Sequence, residues 1–302
     1  MSPSTASTVV VVHAHPDDEA IFTGLLLRRL ADRGSRVVLV TATGGELGEP
    51  CSGGESASSL GAVRLRELER ACELLGVARL VLLGQRDSGL PGDAANRHPR
   101  ALLRCRPDAL SATVADLAIS EGAAAIVHDD AAGIYGHPDH VTAHRIGSAA
   151  AERAGVSGYE VTVDRDLLGG TDHVITRAVA SLGGTSFGAH ARDIGLALRG
   201  SAREIAGKRA AMAAHASQID AAELSGPGFD RLYGHEWLTR TRGPAVLEPL
   251  ATAPQPIASA AVIPQQPGFS RPTPVRSTNS SATSPSTRPT GRPTRRFTHV
   301  HP

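Results

Sequence analysis

Between the four valines at residues 9–12 and the first helical pattern lies "HAHPDDE", residues 13–19, in which two histidines and three acids crowd one strand end. His15 and Asp18 stand three apart with Pro16 fixing the backbone between them, so one turn brings both side chains to the same side. The spacing recurs in "HPDH", where His137 and His140 are again separated by proline and aspartate. Imidazole and carboxylate in this combination suit a divalent ion: a catalytic zinc site takes three protein ligands and keeps a position for water. His15, Asp18 and one of the His137/His140 pair supply such a set. Asp17, turned away from its neighbour Asp18, is placed to take a proton from the polarised water as general base. The histidine left over faces the substrate carbonyl, where it would stabilise an oxyanion and protonate a leaving nitrogen. The same donors suit ferrous iron. One HPDD alone would be an ordinary turn, but two His-Pro-Asp tripeptides at strand ends on one edge of a sheet argue for a metal site.

The elements that must carry these residues follow from the apolar pattern. The runs "VVVV" (9–12), "RVVLVTAT" (36–43), "RLVLLG" (79–84) and "AAAIVHD" (123–129) read as strands buried on both faces. Helical periodicity fills residues 22–34, 62–76 and 107–122 between them, and the first two helices end at a glycine suited to a C-cap. Strands alternating with helices predict an α/β fold with a Rossmann-like, doubly wound, mostly parallel sheet. Ligands of such sheets bind beyond the carboxyl ends of the strands, which are the loops holding "HAHPDDE", "GGELGE", "QRDSG" and "DDAAGIYGHPDH". No GxGxxG follows the first strand and no GxxxxGK[ST] occurs, so a nucleotide-binding Rossmann protein loses its usual support.

"AHPDDE" (14–19), "YGHPDHV" (135–141) and "AHASQ" (214–218) together resemble the LmbE-like or PIG-L family of zinc-dependent N-deacetylases, over residues 9 to about 240. That family includes the N-acetylglucosaminyl-phosphatidylinositol deacetylases and the mycothiol-pathway deacetylase and amidase, and "RDSG" with "DDAAGIYGHPDH" is most similar to the mycothiol branch. The resemblance implies zinc on His15, Asp18 and His140, Asp17 as base, and His137 as electrophile or acid with Asp139 orienting it. It also implies that Arg64 and Asp87 hold the sugar. The substrate expected is an N-acetylated amino sugar or related glycoconjugate. The alternatives are an amidase acting on thiol conjugates of a mycothiol-like pseudodisaccharide, or a sugar-binding relative without catalysis.

Other polar residues near these motifs invite weaker roles. Glu46 in "GGELGE" reads as a substrate-pocket residue reaching the site from the second loop or as an exposed loop acid, and His215, which shares a face with Gln218 on a helix expected over 203–217, as a substrate-pocket residue, a support behind the site or a helix-packing residue. His13 reads as a structural hydrogen-bonding residue, and His144 as a helix-packing residue or a support behind the metal ligands. Cys51, Cys72 and Cys105 form no CxxC and no disulfide framework.

Composition bounds the rest. Residues 251–302 carry six arginines, no Lys, Asp or Glu and 10 of the 20 prolines, which predicts a disordered extension to a single catalytic domain over 9–250, itself preceded by a flexible segment 1–8. The chain is +1 overall, so residues 1–250 carry −5, and aromatics make up 3%. Neither figure points to nucleic acid. No apolar run approaches the roughly 18 residues of a membrane span and "MSPSTAST" lacks signal-peptide features, so a cytoplasmic location is expected. Residues 156–202 show no clean period beyond one strand candidate in "VSGYEVTVDRD".

Overall fold

The computed structural model describes residues 7–51, 57–182, 186–251 and 298–299. Most of the segments expected to be flexible or disordered at the two termini lie outside the described residues. Among the described residues eight strands form one sheet: β1 (Thr8–His13), β2 (Arg36–Thr43), β3 (Arg79–Gln85), β4 (Ala123–Asp129), β5 (Ser157–Thr162), β6 (Leu196–Arg199), β7 (His235–Arg242) and the two-residue β8 (Thr298–His299). Their spatial order is β6-β7-β5-β4-β1-β2-β3-β8. The central strands β3-β2-β1-β4-β5 are parallel, and β7 pairs antiparallel with both β5 and β6. The expected α/β class with a mostly parallel sheet is what the chain forms.

Eleven α-helices accompany the sheet among the described residues, of which nine matter below: α1 (Asp18–Phe22), α2 (Gly24–Asp32), α3 (Ala57–Leu75), α4 (Pro107–Ser120), α5 (Gly133–Gly136), α6 (Pro138–Ala154), α7 (Arg165–Leu168), α8 (Val174–Ser181) and α9 (Ala202–Ala214). Successive β1 side chains point to opposite faces. Val9 and Val11 accordingly join a core with Leu26, Leu27 and Leu68, whereas Val10 and Val12 join a second core with Val114, Ile146 and Ala150. Burial on both faces explains why the run is valine throughout. No described helix is long and apolar enough to cross a membrane.

The chain leaves β1 towards β2 and β3, then returns to place β4 on the other side of β1. This reversal opens a crevice beyond the ends of β1 and β4, the place where doubly wound sheets bind ligands. Helix α6 comes close enough to β4 to serve that crevice because residue 147 is glycine: a Cβ there would lie 2.3 Å from the His128 Cβ.

Three helices differ from expectation. The helix expected over 22–34 is α2 over Gly24–Asp32, separated at Thr23 from α1, which ends at Phe22; the Glu236 carboxylate accepts the Leu25 and Leu26 N–H groups and starts α2 afresh. Helix α3 begins five residues before the expected 62. Helix α9 stops at Ala214, so His215 and Gln218 sit in the turn after it rather than on one helical face. Within 156–202, β5 confirms the strand candidate, while α8 and β6 are elements the periodicity did not show.

Candidate active site

The strand end at His13 and the helix start at Asp18 are joined by a turn in which Asp17 adopts φ 103° and ψ −28°. Asp17 is one of two described non-glycine residues with positive φ, the other being Ile134 at 59° in α5. Such a conformation costs about 1–3 kcal/mol and persists only where surrounding contacts enforce it. The Asp17 carbonyl accepts the N–H groups of Ala20 at 3.0 Å and Ile21 at 2.9 Å, which begins α1, and the Asp18 carboxylate accepts the His15 N–H at 2.8 Å.

From the other side of the crevice, His137 caps α6: its Nδ1 accepts the Asp139 N–H at 3.1 Å. In the neutral ring the proton therefore sits on Nε2. Burial, together with the neighbouring His15 and His140, holds the His137 pKa well below the usual histidine value, so the neutral form prevails. The three rings lie together, with centroids 4.7 Å apart for His15 and His137, 5.2 Å for His15 and His140, and 5.5 Å for His137 and His140.

His140 is the clearest candidate ligand. Its Nδ1 is taken by Asp129 Oδ2 at 2.8 Å, which turns Nε2 inward, 3.6 Å from Asp18 Oδ1. That Nε2 is buried and has no hydrogen-bond partner. Burial opposes a charge on His140, yet Asp18 and Asp129 outweigh it and raise the pKa to about 10: the pocket calls for a positive charge at this point. His15 completes the approach, its Nδ1 3.8 Å from Asp18 Oδ2. Donor atoms from three trios lie within 4.8 Å of one another: His15/His137/His140, His13/Asp18/Asp129 and His15/Asp87/Asp139. These donors can hold a metal ion. In the second trio, His13 is already paired with Asp129 at 2.9 Å and with Thr23 Oγ1 at 3.0 Å, the structural role expected of it.

Asp129 thus grips His140 with one oxygen and His13 with the other. A carboxylate behind a ligating histidine fixes its tautomer, and its loss commonly costs 10–100-fold in metal affinity. Asp129→Asn is expected to weaken metal binding by about that factor, measurable by competition with a chromophoric chelator.

The remaining expected residues are placed as follows. Burial pushes the Asp17 carboxyl up to about 6 against the pull of Arg64. Arg64, on α3, donates to the Gly45 carbonyl at 2.6 Å, to the Pro16 carbonyl and to Asp17 Oδ2 at 3.2 Å, and so grips the turn that carries Asp17. Gly45, at φ 61°, admits the guanidinium: a Cβ there would come within 2.4 Å of Nη1. Asp87 lies at the same crevice, its Oδ1 3.8 Å from His15 Nε2, and Glu46 accepts the Asp87 N–H at 3.1 Å, which ties the second loop to the third. The Asp139 carboxylate does not orient His137 as expected. Its Oδ2 faces His15 Nε2 at 3.3 Å and accepts the Ser88 N–H at 2.9 Å, and only its backbone N–H serves His137. His215 is fully buried, with Nε2 2.6 Å from Glu19 Oε1. His144 stands behind the site, its Nδ1 3.2 Å from the Asp129 carbonyl.

Besides Asp129, two residues were not singled out from the sequence. Tyr135 places its ring 5.3 Å from His140 and 6.0 Å from His137, and burial, reinforced by Asp18 and Asp17, keeps its phenol protonated as a donor. Its position inside "YGHPDHV" was the available signal. Glu19 carried none beyond its place in "HPDDE".

The chain is similar to known proteins in sequence and in fold. The model of the GlcNAc-PI de-N-acetylase (PIG-L) family matches residues 10–151. The 1D-myo-inositol 2-acetamido-2-deoxy-alpha-D-glucopyranoside deacetylase of Corynebacterium diphtheriae is 38% identical over 224 residues, 70% of this chain and 75% of that protein. The protein of the same name from Nocardia farcinica is 35% identical over 250 residues, 74% of this chain and 83% of its own. That from Salinispora arenicola is 42% identical over 161 residues, 50% of this chain, and the match spans about half of its length, 52%. Among solved structures, the N,N'-diacetylchitobiose deacetylase from Pyrococcus horikoshii superposes with a TM-score of 0.50 at 20% identity, covering 78% of this chain and 84% of that one. A deacetylase of teicoplanin biosynthesis superposes with a TM-score of 0.52 at 19% identity, covering 78% and 99%, and these two likenesses speak for the fold. With relatives this similar over most of their length, the chain belongs to the PIG-L family of de-N-acetylases.

Proposed function

We propose that the chain is a metal-dependent hydrolase that removes the acetyl group from an N-acetylated amino sugar, with a 2-acetamido-2-deoxyglucoside of inositol as its substrate. The observation that carries the reading is the buried, unpartnered Nε2 of His140, backed by Asp129 and facing Asp18. We take His15, Asp18 and His140 as the ligands, with His15 Nδ1 and His140 Nε2 3.8 and 3.6 Å from the two Asp18 oxygens. Zinc on those three, or ferrous iron, would acidify a water and polarise the amide carbonyl.

The protein's own groups then divide the work. Asp17 accepts a proton from the attacking water as the new C–O bond forms, and its pKa of about 6 suits a base at neutral pH. Negative charge develops on the carbonyl oxygen, where the His137 Nε2–H and the Tyr135 phenol are the donors at hand. When the C–N bond breaks, its electron pair stays on nitrogen and the proton held by Asp17 passes to it, in place of the one first expected from His137, which leaves a free amine and acetic acid that ionises to acetate at neutral pH. Asp87 and Glu46 offer carboxylates to sugar hydroxyls, and Arg64 fixes the turn between them and Asp17. Residues 9–250 act as one catalytic domain. We place the enzyme in the cytoplasm, which suits a chain whose three cysteines are spaced in no disulfide framework.

A panel of amides on the same amino sugar separates the deacetylase from the thiol-conjugate amidase. The N-acetyl compound should show a kcat/KM at least tenfold above that of a cysteinyl thiol conjugate. The reverse order would assign the chain to the amidase reading.

A further inference from the structure

His215 lies 196 residues beyond Glu19 in sequence, yet the two form a pair with 2.6 Å between Nε2 and Oε1, both fully buried. The other oxygen of Glu19, Oε2, accepts the N–H of Asp17 at 3.0 Å. That N–H belongs to the residue whose φ is 103°. The main chain that carries the ring is fixed: the His215 backbone N–H donates to the Met212 carbonyl at 3.1 Å, and the His215 carbonyl accepts the Gln218 and Ile219 N–H groups at 2.9 Å each. A hydrogen-bonded turn therefore carries the buried ring, the ring's Nε2 meets the carboxylate, and the carboxylate holds the peptide.

We propose that the His215–Glu19 pair is a clamp that holds the left-handed peptide of Asp17 in place and thereby aims the base, which makes His215 a positioning residue rather than a substrate contact. Arg64 grips the carbonyl side of the same turn through Pro16, and the clamp grips the N–H side. With both in place the carboxylate of Asp17 has one direction to point. Loosening one side lets the strained peptide relax, and a shift of about 1 Å at a reacting group is enough to cost on the order of 100-fold in rate. A substrate contact would leave a different signature, because lost binding raises KM.

The inference rests on Asp17 being the base, and the experiment keeps the two ideas apart. His215→Gln keeps an N–H donor where Nε2 stands, while His215→Asn carries an amide of the same chemistry that falls short of Glu19. Both variants bury one amide, so their comparison isolates the bond to Glu19 even if each lowers stability. In the zinc-loaded full chain, His215→Gln should keep kcat within about threefold of the wild type and His215→Asn should lose tenfold or more. KM and zinc affinity by chelator competition should stay within about twofold in both. In an Asp17→Asn background the two should have equal residual rates, since the group they aim is gone. Equal kcat for the single variants, a rise in KM for His215→Asn without a fall in kcat, or the same difference persisting without Asp17 would overturn the clamp. Normal turnover by Asp17→Asn alone would overturn the assignment of the base as well.

Discussion

Asp17→Asn should bind zinc as tightly as the wild type and lose at least about 100-fold in kcat, the lower end of what general-base catalysis contributes. The substitution changes little besides the chemistry. Asparagine is among the residues that tolerate a left-handed backbone, so the turn at φ 103° survives. An amide oxygen still accepts from Arg64, and Asp18, whose carboxylate faces His140, is untouched. What disappears is a group able to take a proton from water at neutral pH. Steady-state amine release, paired with chelator competition for the metal, checks both halves. Loss of zinc affinity in step with kcat would show that Asp17 serves the metal instead.

The largest effect on stability is expected from Glu236→Leu. Glu236 and Lys208 are buried, and their Nζ–Oε1 distance is 2.7 Å. The same carboxylate accepts the Leu25 N–H at 2.7 Å and the Leu26 N–H at 2.8 Å. Removing it strands an ammonium and two N–H groups in the core, and breaking such a pair costs about 3–5 kcal/mol. In a domain of this size that lowers Tm by roughly 6–20 °C. Adding Lys208→Met should recover part of the loss, because the stranded charge goes, but not all of it, because α2 still lacks an acceptor at its start. Thermal unfolding of the single and double variants reads this directly, and a double variant no more stable than the single one would contradict it.

The sequence displayed this architecture unevenly, for physical reasons. Strands β1 to β4 were readable because parallel strands covered on both faces are written as unbroken β-branched runs. Strand β6 has four residues with alternating burial, and β7, "HEWLTRTR", is buried only over its middle, so neither stands out from a loop. The break between α1 and α2 depends on Glu236, more than 200 residues away, and no local pattern records it. Site residues followed the same division. His15, Asp17, Asp18, His137 and His140 were legible from two short motifs at strand ends. The work of Asp129 was not, because it requires β4 to lie beside β1 so that one carboxylate meets His13 and His140 at once. The Asp139 side chain was assigned to its near neighbour His137, but α6 carries it instead towards His15 on the opposite strand end. Glu19 and His215 could be paired only by the fold.

The most direct test of the deacetylase reading is product stoichiometry on a 2-acetamido-2-deoxyglucosyl inositol with the zinc-loaded full chain. The account predicts one acetate for each free amine, activity lost on chelation and restored by zinc or ferrous iron. Metal-loaded protein that releases no amine from this or any other N-acetyl amino sugar would contradict it.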